Sequence, residues 1–220
     1  MRIGVLGTGM VGHTLASRLV GLGHDVMMGS RDAANPRATT WVAGAVGPGT
    51  AGAGSFADAA RHGELLVNAT AGSASVAALE LAGGDPALAG RVLLDLANPL
   101  DFSTGTLRLT VANTDSLGEL IQRTFPRALV VKSLNTVNAN VMVHPEMLAG
   151  DHTMFVAGDD PKAKRVVVDL LGELGWPARN ILDLGGLAAA RGMEMYLPLW
   201  LSLKTANGGD PKINIQVVRG

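Results

Sequence analysis

The chain contains no cysteine, a single tyrosine and only 4% aromatic residues. Without thiols it has no disulfide, no thiolate nucleophile and no iron–sulfur ligation, a composition that fits a reducing cytosol. Neither sign of charge dominates, since 18 Lys and Arg stand against 19 Asp and Glu for a net charge of −1. No long basic run marks a nucleic-acid or anionic-membrane partner. No apolar stretch approaches the roughly 20 residues that a membrane-spanning helix needs. The apolar N-terminus is interrupted by Gly7, Gly9 and Gly12 and lacks a signal peptide's cleavage pattern. HExxH, GxSxG and clustered metal ligands are missing as well, so neither metal-dependent nor serine hydrolysis is expected. These absences together predict a soluble, cytoplasmic protein that acts on a small molecule.

What the chain does have is an apolar majority and much glycine. It is 47% hydrophobic, 17% charged and carries 29 glycines in 220 residues, enough apolar surface for a sizeable core. Its most informative stretch is the first one. Met1 to Leu6 reads as a buried strand, Gly7-Thr8-Gly9-Met10-Val11-Gly12 follows, an amphipathic run covers His13 to Leu22, and Asp25 to Met28 reads as a second strand. Strand, GxGxxG turn, helix and strand in that order form a dinucleotide-binding βαβ unit. Gly7 permits the tight turn, Gly9 lets backbone approach a pyrophosphate, and Gly12 lets helix and strand pack closely. Free N–H groups at the helix start then face phosphate, assisted by the helix dipole.

The second strand ends in Gly29-Ser30-Arg31. A dinucleotide with a free ribose 2′-hydroxyl usually meets Asp or Glu at this tip, whereas a hydroxyl beside a guanidinium suits a 2′-phosphate. The tip therefore favours NADP over NAD. Asp32 offers a competing reading as a displaced acidic residue, or as the solvated partner of Arg31.

Further along, strands alternate with helices. Helices are expected over Ala33 to Ala45, from Phe56 to Arg61 behind a Ser55 cap, over Ser73 to Leu81, and from Ser116 to about Thr124 with Glu119 completing a capping box. Another spans Asp160 to Leu174, and a single apolar one runs from Leu187 to Leu203. Strands are expected over Glu64 to Thr70, Arg91 to Leu96, Ala128 to Lys132, Thr153 to Ala157 and Pro177 to Leu182, and the tail from Lys212 to Val218 alternates as a strand would. The Gly47 to Gly54 stretch reads as turn-rich, with room for a short edge strand. The pattern predicts an α/β fold, a Rossmann-type doubly wound parallel sheet with a short C-terminal helical appendage. The predicted boundary separates a nucleotide-binding domain over 1–184 from a helix-and-strand appendage over 185–220, both in one compact unit. Ligands of such sheets bind at the carboxyl ends of the strands, here Ala69-Thr70-Ala71, Asn98 and Leu134-Asn135. Lys132 and Arg191 are candidates to meet an anionic cofactor, with an ordinary strand-end lysine and a solvated arginine as the alternatives. His13 and His24 suit surface or capping roles, and His144-Pro145-Glu146 suits a turn.

With Gly29-Ser30-Arg31, Lys132-Ser133-Leu134-Asn135-Thr136-Val137, Ala157-Gly158-Asp159-Asp160 and the terminal helix in view, the chain resembles the F420-dependent NADP oxidoreductases. It is also similar to the NADPH-binding domain of the STEAP metalloreductases. The resemblance implies NADP(H) lying across the carboxyl edge of the sheet. Thr8 to Val11 would hold phosphate, Ser30 and Arg31 the 2′-phosphate, and Ala71 and Leu134 would lie near the nicotinamide. Asn35 stands where the F420 reductases often carry a lysine, and Arg37 is the nearest substitute. The Leu134-Asn135-Thr136 strand end is closer to the metalloreductase pattern than to the archaeal F420 enzymes, a departure that bears on F420 and not on NADPH. The implied reaction is hydride transfer between NADP(H) and F420, FMN or FAD. Because the cofactors carry that chemistry, no protein acid or base is needed and no catalytic residue is expected. Met193, Met195, Leu197 and Trp200 on the terminal helix suit either the domain's own core or a homodimer interface. Two other readings compete, a non-catalytic NADPH-binding sensor or partner subunit, and a dehydrogenase of the β-hydroxyacid or imine type.

Overall fold

The computed structural model describes residues 1–218. Ten strands and ten α-helices alternate along it: β1 (Arg2–Leu6), α1 (Met10–Gly21), β2 (Asp25–Ser30), α2 (Pro36–Gly44), β3 (Thr50–Ser55), α3 (Phe56–His62), β4 (Leu65–Asn68), α4 (Ser75–Leu81), α5 (Gly84–Leu88), β5 (Val92–Asp95), β6 (Leu100–Asp101), β7 (Arg108–Leu109), α6 (Leu117–Thr124), β8 (Leu129–Ser133), α7 (Ala139–Val143), β9 (Met154–Gly158), α8 (Pro161–Glu173), β10 (Ile181–Asp183), α9 (Ala190–Met195) and α10 (Leu197–Ala206). The strands LLVN, VLLD and LVVKS are continuous apolar runs, as strands covered on both faces must be.

Eight strands form one sheet in the order β10-β9-β8-β5-β4-β1-β2-β3. All neighbours are parallel except β8 and β9, which run antiparallel. The sheet is a Rossmann-type mostly parallel one, and β6 with β7 makes a separate small antiparallel hairpin that the sequence pattern did not signal. One core packs Leu15, Leu19 and Trp41 with Val167, Leu170 and Trp176 on one face, and the other packs Phe56, Leu79, Ile121 and Phe125 on the opposite face. From β1 the chain winds outward to β2 and β3, then returns to place β4 on the other side of β1. The crevice between the carboxyl ends of β1 and β4 is the switch point where such sheets bind ligands.

Several local expectations are corrected. Helix α2 begins at Pro36, not Ala33, because Asn35 is extended before the proline and its side chain caps the Arg37 N–H. The Ser116 capping box is only half formed: Ser116 Oγ accepts the Glu119 N–H, but the Ser116 N–H goes to Asp115. The long terminal helix is broken into a 3₁₀ turn, α9 and α10 around Tyr196 and Pro198, since proline lacks the N–H to continue the ladder. The 212–218 tail is not a strand. Strand β9 has β8 on one side and β10 on the other, so the tail stays outside the sheet and ties to the residues just before β9, through Thr153 N–H to Ile215 O at 2.8 Å, Asn214 Nδ2 to Thr153 O at 2.9 Å and Asn214 Nδ2 to His152 Nδ1 at 2.9 Å. His24 is buried rather than at the surface, between the N-terminal amine at 3.2 Å and Glu173 at 2.8 Å.

Candidate functional site

Gly7 sits at φ +119°, and a Cβ there would lie 2.6 Å from the Ala69 carbonyl, which seals the β1 turn against the end of β4. A Cβ on Gly12 would lie 2.2 Å from the Gly7 carbonyl, so this residue is what lets α1 start so close to the turn. Gly9 is different, with nothing within 4 Å of a notional Cβ. It is the N-cap of α1, no side chain caps it, and no acidic residue stands in the first turn. The helix thus presents uncapped N–H groups and the positive end of its dipole to open space, the combination that attracts phosphate.

Three cavities converge on this point. One of about 350 Å³ is lined by Gly7, Thr8, Gly9, Ser30, Arg31, Asn35, Ala69, Thr70 and Ala71, with Phe56, Ala74, Ala77, Ala78 and Leu81 completing it. A second of about 350 Å³ shares Ala69 to Ala71 and adds Val11, Gly72, Leu96, Ala97, Asn98, Leu100 and Phe102. A third of about 520 Å³ shares Thr8 and Gly9 and adds Met10, His13, Thr14, Pro36, Arg37 and Thr40. Together they make an elongated groove along the carboxyl edge, polar at β2 and apolar beside the β6–β7 hairpin.

At the polar end, Ser30 is buried and donates to the Asp32 carbonyl at 2.5 Å, while Asp32 Oδ1 accepts the Ala34 N–H at 2.9 Å. Asp32 therefore folds into its own turn and makes no ion pair with Arg31. Among the described residues neither Arg31 nor Arg37 pairs with a carboxylate, and both are exposed. An NADP 2′-phosphate fits this end, which supplies two guanidinium groups with no carboxylate partner among the described residues, while Asn35 Oδ1 is occupied in accepting the Arg37 N–H.

Of the residues expected to touch the nucleotide, all but Gly12, Leu134 and Asn135 line one of the cavities. Gly12 is packed beneath the loop. Leu134 is fully buried with its backbone in the left-handed region at φ 62°, a conformation that costs roughly 1–2 kcal/mol for a non-glycine residue and gathers at functional sites. Asn135 is also buried. Its Nδ2 donates to Asn98 Oδ1 at 2.9 Å and to Met193 O at 3.1 Å, while Asn98 Nδ2 donates back to Asn135 O at 2.9 Å. The two asparagines tie the ends of β5 and β8 to α9, and Asn98 alone faces the groove.

Lys132 and Arg191 do not reach the groove. Arg191 forms a forked pair with Glu119, at 2.9 and 2.6 Å. Lys132 is entirely buried, 2.8 Å from Asp95 and 2.8 Å from Glu194, and also donates to Ala97 O. Burial alone would lower the Lys132 pKa, but Asp95 and Glu194 outweigh it and hold it above the ordinary lysine value. Burial pushes Glu194 up, against the pull of Lys132 and the Leu117 N–H.

This buried polar cluster was missed by sequence reasoning. Asn68, Asp95 and Lys132 are register partners on adjacent strands, and all three are 0% exposed. The available signal was a polar residue closing three successive apolar strand runs.

A family model described as NADP oxidoreductase, coenzyme F420-dependent, matches residues 2–99. A crystal structure of a provisionally assigned F420-dependent NADP reductase from Arthrobacter sp. FB24 is 48% identical, with TM-score 0.92 and 100% of each chain covered. Metalloreductase STEAP3 of Rattus norvegicus is 30% identical over 204 residues, covering 90% of this chain and 38% of that protein. The F420-dependent NADP reductase of Methanocaldococcus jannaschii is 27% identical over 118 residues, covering 53% of this chain and 52% of that one. The chain thus spans 38% and 52% of the length of these two curated relatives. Among the described residues no helix is long and apolar enough to cross a membrane.

Proposed function

The chain belongs to the F420-dependent NADP oxidoreductase family, and from that membership we propose that it transfers a hydride between NADP(H) and a deazaflavin such as F420, or a flavin. The observation that carries this reading is the uncapped start of α1 between two different ends of one groove. Ser30, Arg31, Asn35 and Arg37 suit the 2′-phosphate end. Ala71, Leu96, Ala97, Leu100 and Phe102 make the other end apolar, as a flat nicotinamide and its partner ring require. NADPH supplies the reactive hydride when bound. The protein's own residues hold the phosphates, orient the nucleotide along the sheet edge and exclude water. We assign no catalytic acid, base or metal.

The same reading takes 1–184 as the nucleotide-binding unit and 185–220 as the appendage that closes the far end. It takes the protein to be cytoplasmic and a homodimer formed through the C-terminal helices. Met195, Leu199 and Leu203 are exposed there, while Met193 and Leu197 are buried in the chain's own core. Light scattering on the purified protein tests the dimer.

The decisive assay is anaerobic oxidation of NADPH by the purified protein with F420, FMN or FAD as acceptor. Turnover with one of them and a strong preference for NADPH over NADH is expected. No turnover with any acceptor, alongside tight NADPH binding, would replace the enzyme with a nucleotide-binding sensor.

A further inference from the structure

We propose that the buried Asp95–Lys132 pair fixes the direction of a hydrogen-bond chain ending at Thr70, so that Thr70 offers the nicotinamide half of the nucleotide an acceptor and takes an N–H or O–H from it. The proposal rests on the nucleotide-groove reading above and concerns how that groove recognises its ligand.

The direction follows from which groups have lone pairs. Lys132 Nζ donates to Asp95 Oδ2 at 2.8 Å, and the Ala97 N–H donates to Asp95 Oδ1 at 3.2 Å. An ammonium and a backbone N–H have no lone pair to offer, so both Asp95 oxygens act as acceptors. The third contact of Asp95, with Asn68 at 2.8 Å, must then come from the Asn68 NH₂ group. That turns Asn68 Oδ1 away from Asp95, toward Thr70. There it accepts the Thr70 hydroxyl at 2.7 Å and the Thr70 N–H at 3.3 Å. The amide orientation is thus set twice, once by Asp95 and once by a backbone N–H that can only donate.

Thr70 has one hydroxyl proton, and Asn68 takes it. Ser75 Oγ, 3.1 Å from Thr70 Oγ1, receives the second Asn68 N–H at 3.0 Å and lies 3.3 Å from the Ala71 carbonyl, so any proton it shares with Thr70 also runs toward Thr70. Only lone pairs of Thr70 are left to face outward. Asn68, Ser75, Asp95 and Lys132 are each 0% exposed, whereas Thr70 is half-buried in the wall common to the two smaller cavities. Thr70 is where a dry, directed chain meets the ligand. Asp95 and Lys132 are positioning residues, since they act through Asn68.

In the nicotinamide half, two groups carry suitable protons, the carboxamide and the ribose hydroxyls. The test measures dissociation constants of wild type, Thr70→Val, Thr70→Ser and Asp95→Asn for four ligands: NADPH, its nicotinic-acid analogue, its analogue deoxygenated at the nicotinamide ribose, and 2′,5′-ADP. Thr70→Val should weaken NADPH about fivefold, as loss of one net hydrogen bond implies, and Thr70→Ser should restore it. One of the two analogues should bind wild type correspondingly less well, with no further loss in Thr70→Val, and which one it is identifies the donor. In Asp95→Asn the amide direction is no longer imposed, so discrimination between NADPH and that analogue should shrink toward one. 2′,5′-ADP, which lacks the nicotinamide half, should bind all four proteins equally. Unchanged NADPH affinity in Thr70→Val, or a loss equal for NADPH and both analogues, would overturn the proposal. Failure of wild type to bind 2′,5′-ADP would instead overturn the nucleotide-groove reading beneath it.

Discussion

Lys132 on β8 and Glu194 on α9 meet at 2.8 Å with side-chain exposures of 0% and 1%. Glu194 also accepts the Leu117 and Gly118 N–H groups at 2.8 and 3.1 Å, so one carboxylate joins the sheet, the start of α6 and the C-terminal appendage. Breaking a buried pair by removing one partner strands the other and typically costs 3–5 kcal/mol. Lys132→Met should therefore lose about 3–5 kcal/mol in urea unfolding, since both Asp95 and Glu194 are left without their cation. Glu194→Gln should lose less, about 1–3 kcal/mol, because the amide oxygen still serves part of the donor set. Equal stability of Lys132→Met and wild type would show the cluster to be structurally neutral.

The glycines of the nucleotide loop separate folding from binding. A Cβ on Gly12 would stand 2.2 Å from the Gly7 carbonyl, whereas one on Gly9 would meet nothing within 4 Å. Gly12→Ala should destabilise the protein by about 1–3 kcal/mol or more, as overpacking against immobile backbone does. Gly9→Ala should cost under about 1 kcal/mol, the scale of an N-cap change, yet weaken NADPH binding at least tenfold by placing a methyl where phosphate must approach. Thermal unfolding and nucleotide titration on the same two variants read both effects. Parallel losses of stability and affinity in Gly9→Ala would remove the distinction.

Arg31 is exposed and has no carboxylate partner among the described residues, while the neighbouring Asp32 carboxylate caps Ala34. A charge-assisted bond to a 2′-phosphate contributes about 1.5–3 kcal/mol. Arg31→Ala should accordingly raise the dissociation constant for NADPH roughly 10- to 100-fold and leave NADH within about twofold. Similar losses for both nucleotides would assign Arg31 to the pyrophosphate or to no contact at all.

The first βαβ unit was legible because each of its signals is local: a strand, three glycines at fixed spacing, an amphipathic helix and a polar strand tip. The apolar runs of β4, β5 and β8 were legible for the same reason. What stayed hidden depends on pairs distant in sequence. Lys132 and Arg191 looked available to an anion until Asp95, Glu194 and Glu119 came in from other elements to neutralise them. The tail reads as a strand by alternation, but β9 has no free edge to receive it. The reversal of β9 against β8 is a matter of how the chain re-enters the sheet, which periodicity does not encode.

The second attachment of the appendage responds to acid. Glu119 is held below the ordinary glutamate range first by the Arg191 guanidinium that donates to it, and then by the Ser116 hydroxyl, despite some burial. A carboxylate whose pKa is depressed by folding adds stability that is complete above its unfolded value, near 4.5, and is lost as pH falls through the lower folded value. The stability difference between wild type and Glu119→Gln should thus be constant around neutral pH and shrink once pH drops below about 4.5. Asp85, held down by the Arg127 N–H and guanidinium, softens the acid limb in both proteins alike and cancels in the comparison, whereas Asp115, held down by Arg123 and by Arg191, is coupled to Glu119 and adds to the difference in the same acid range. Urea midpoints across an acid-to-neutral series check this. A difference that persists unchanged into acid would mean that Glu119 supports α9 through packing and the neutral Ser116 contact, not through its charge.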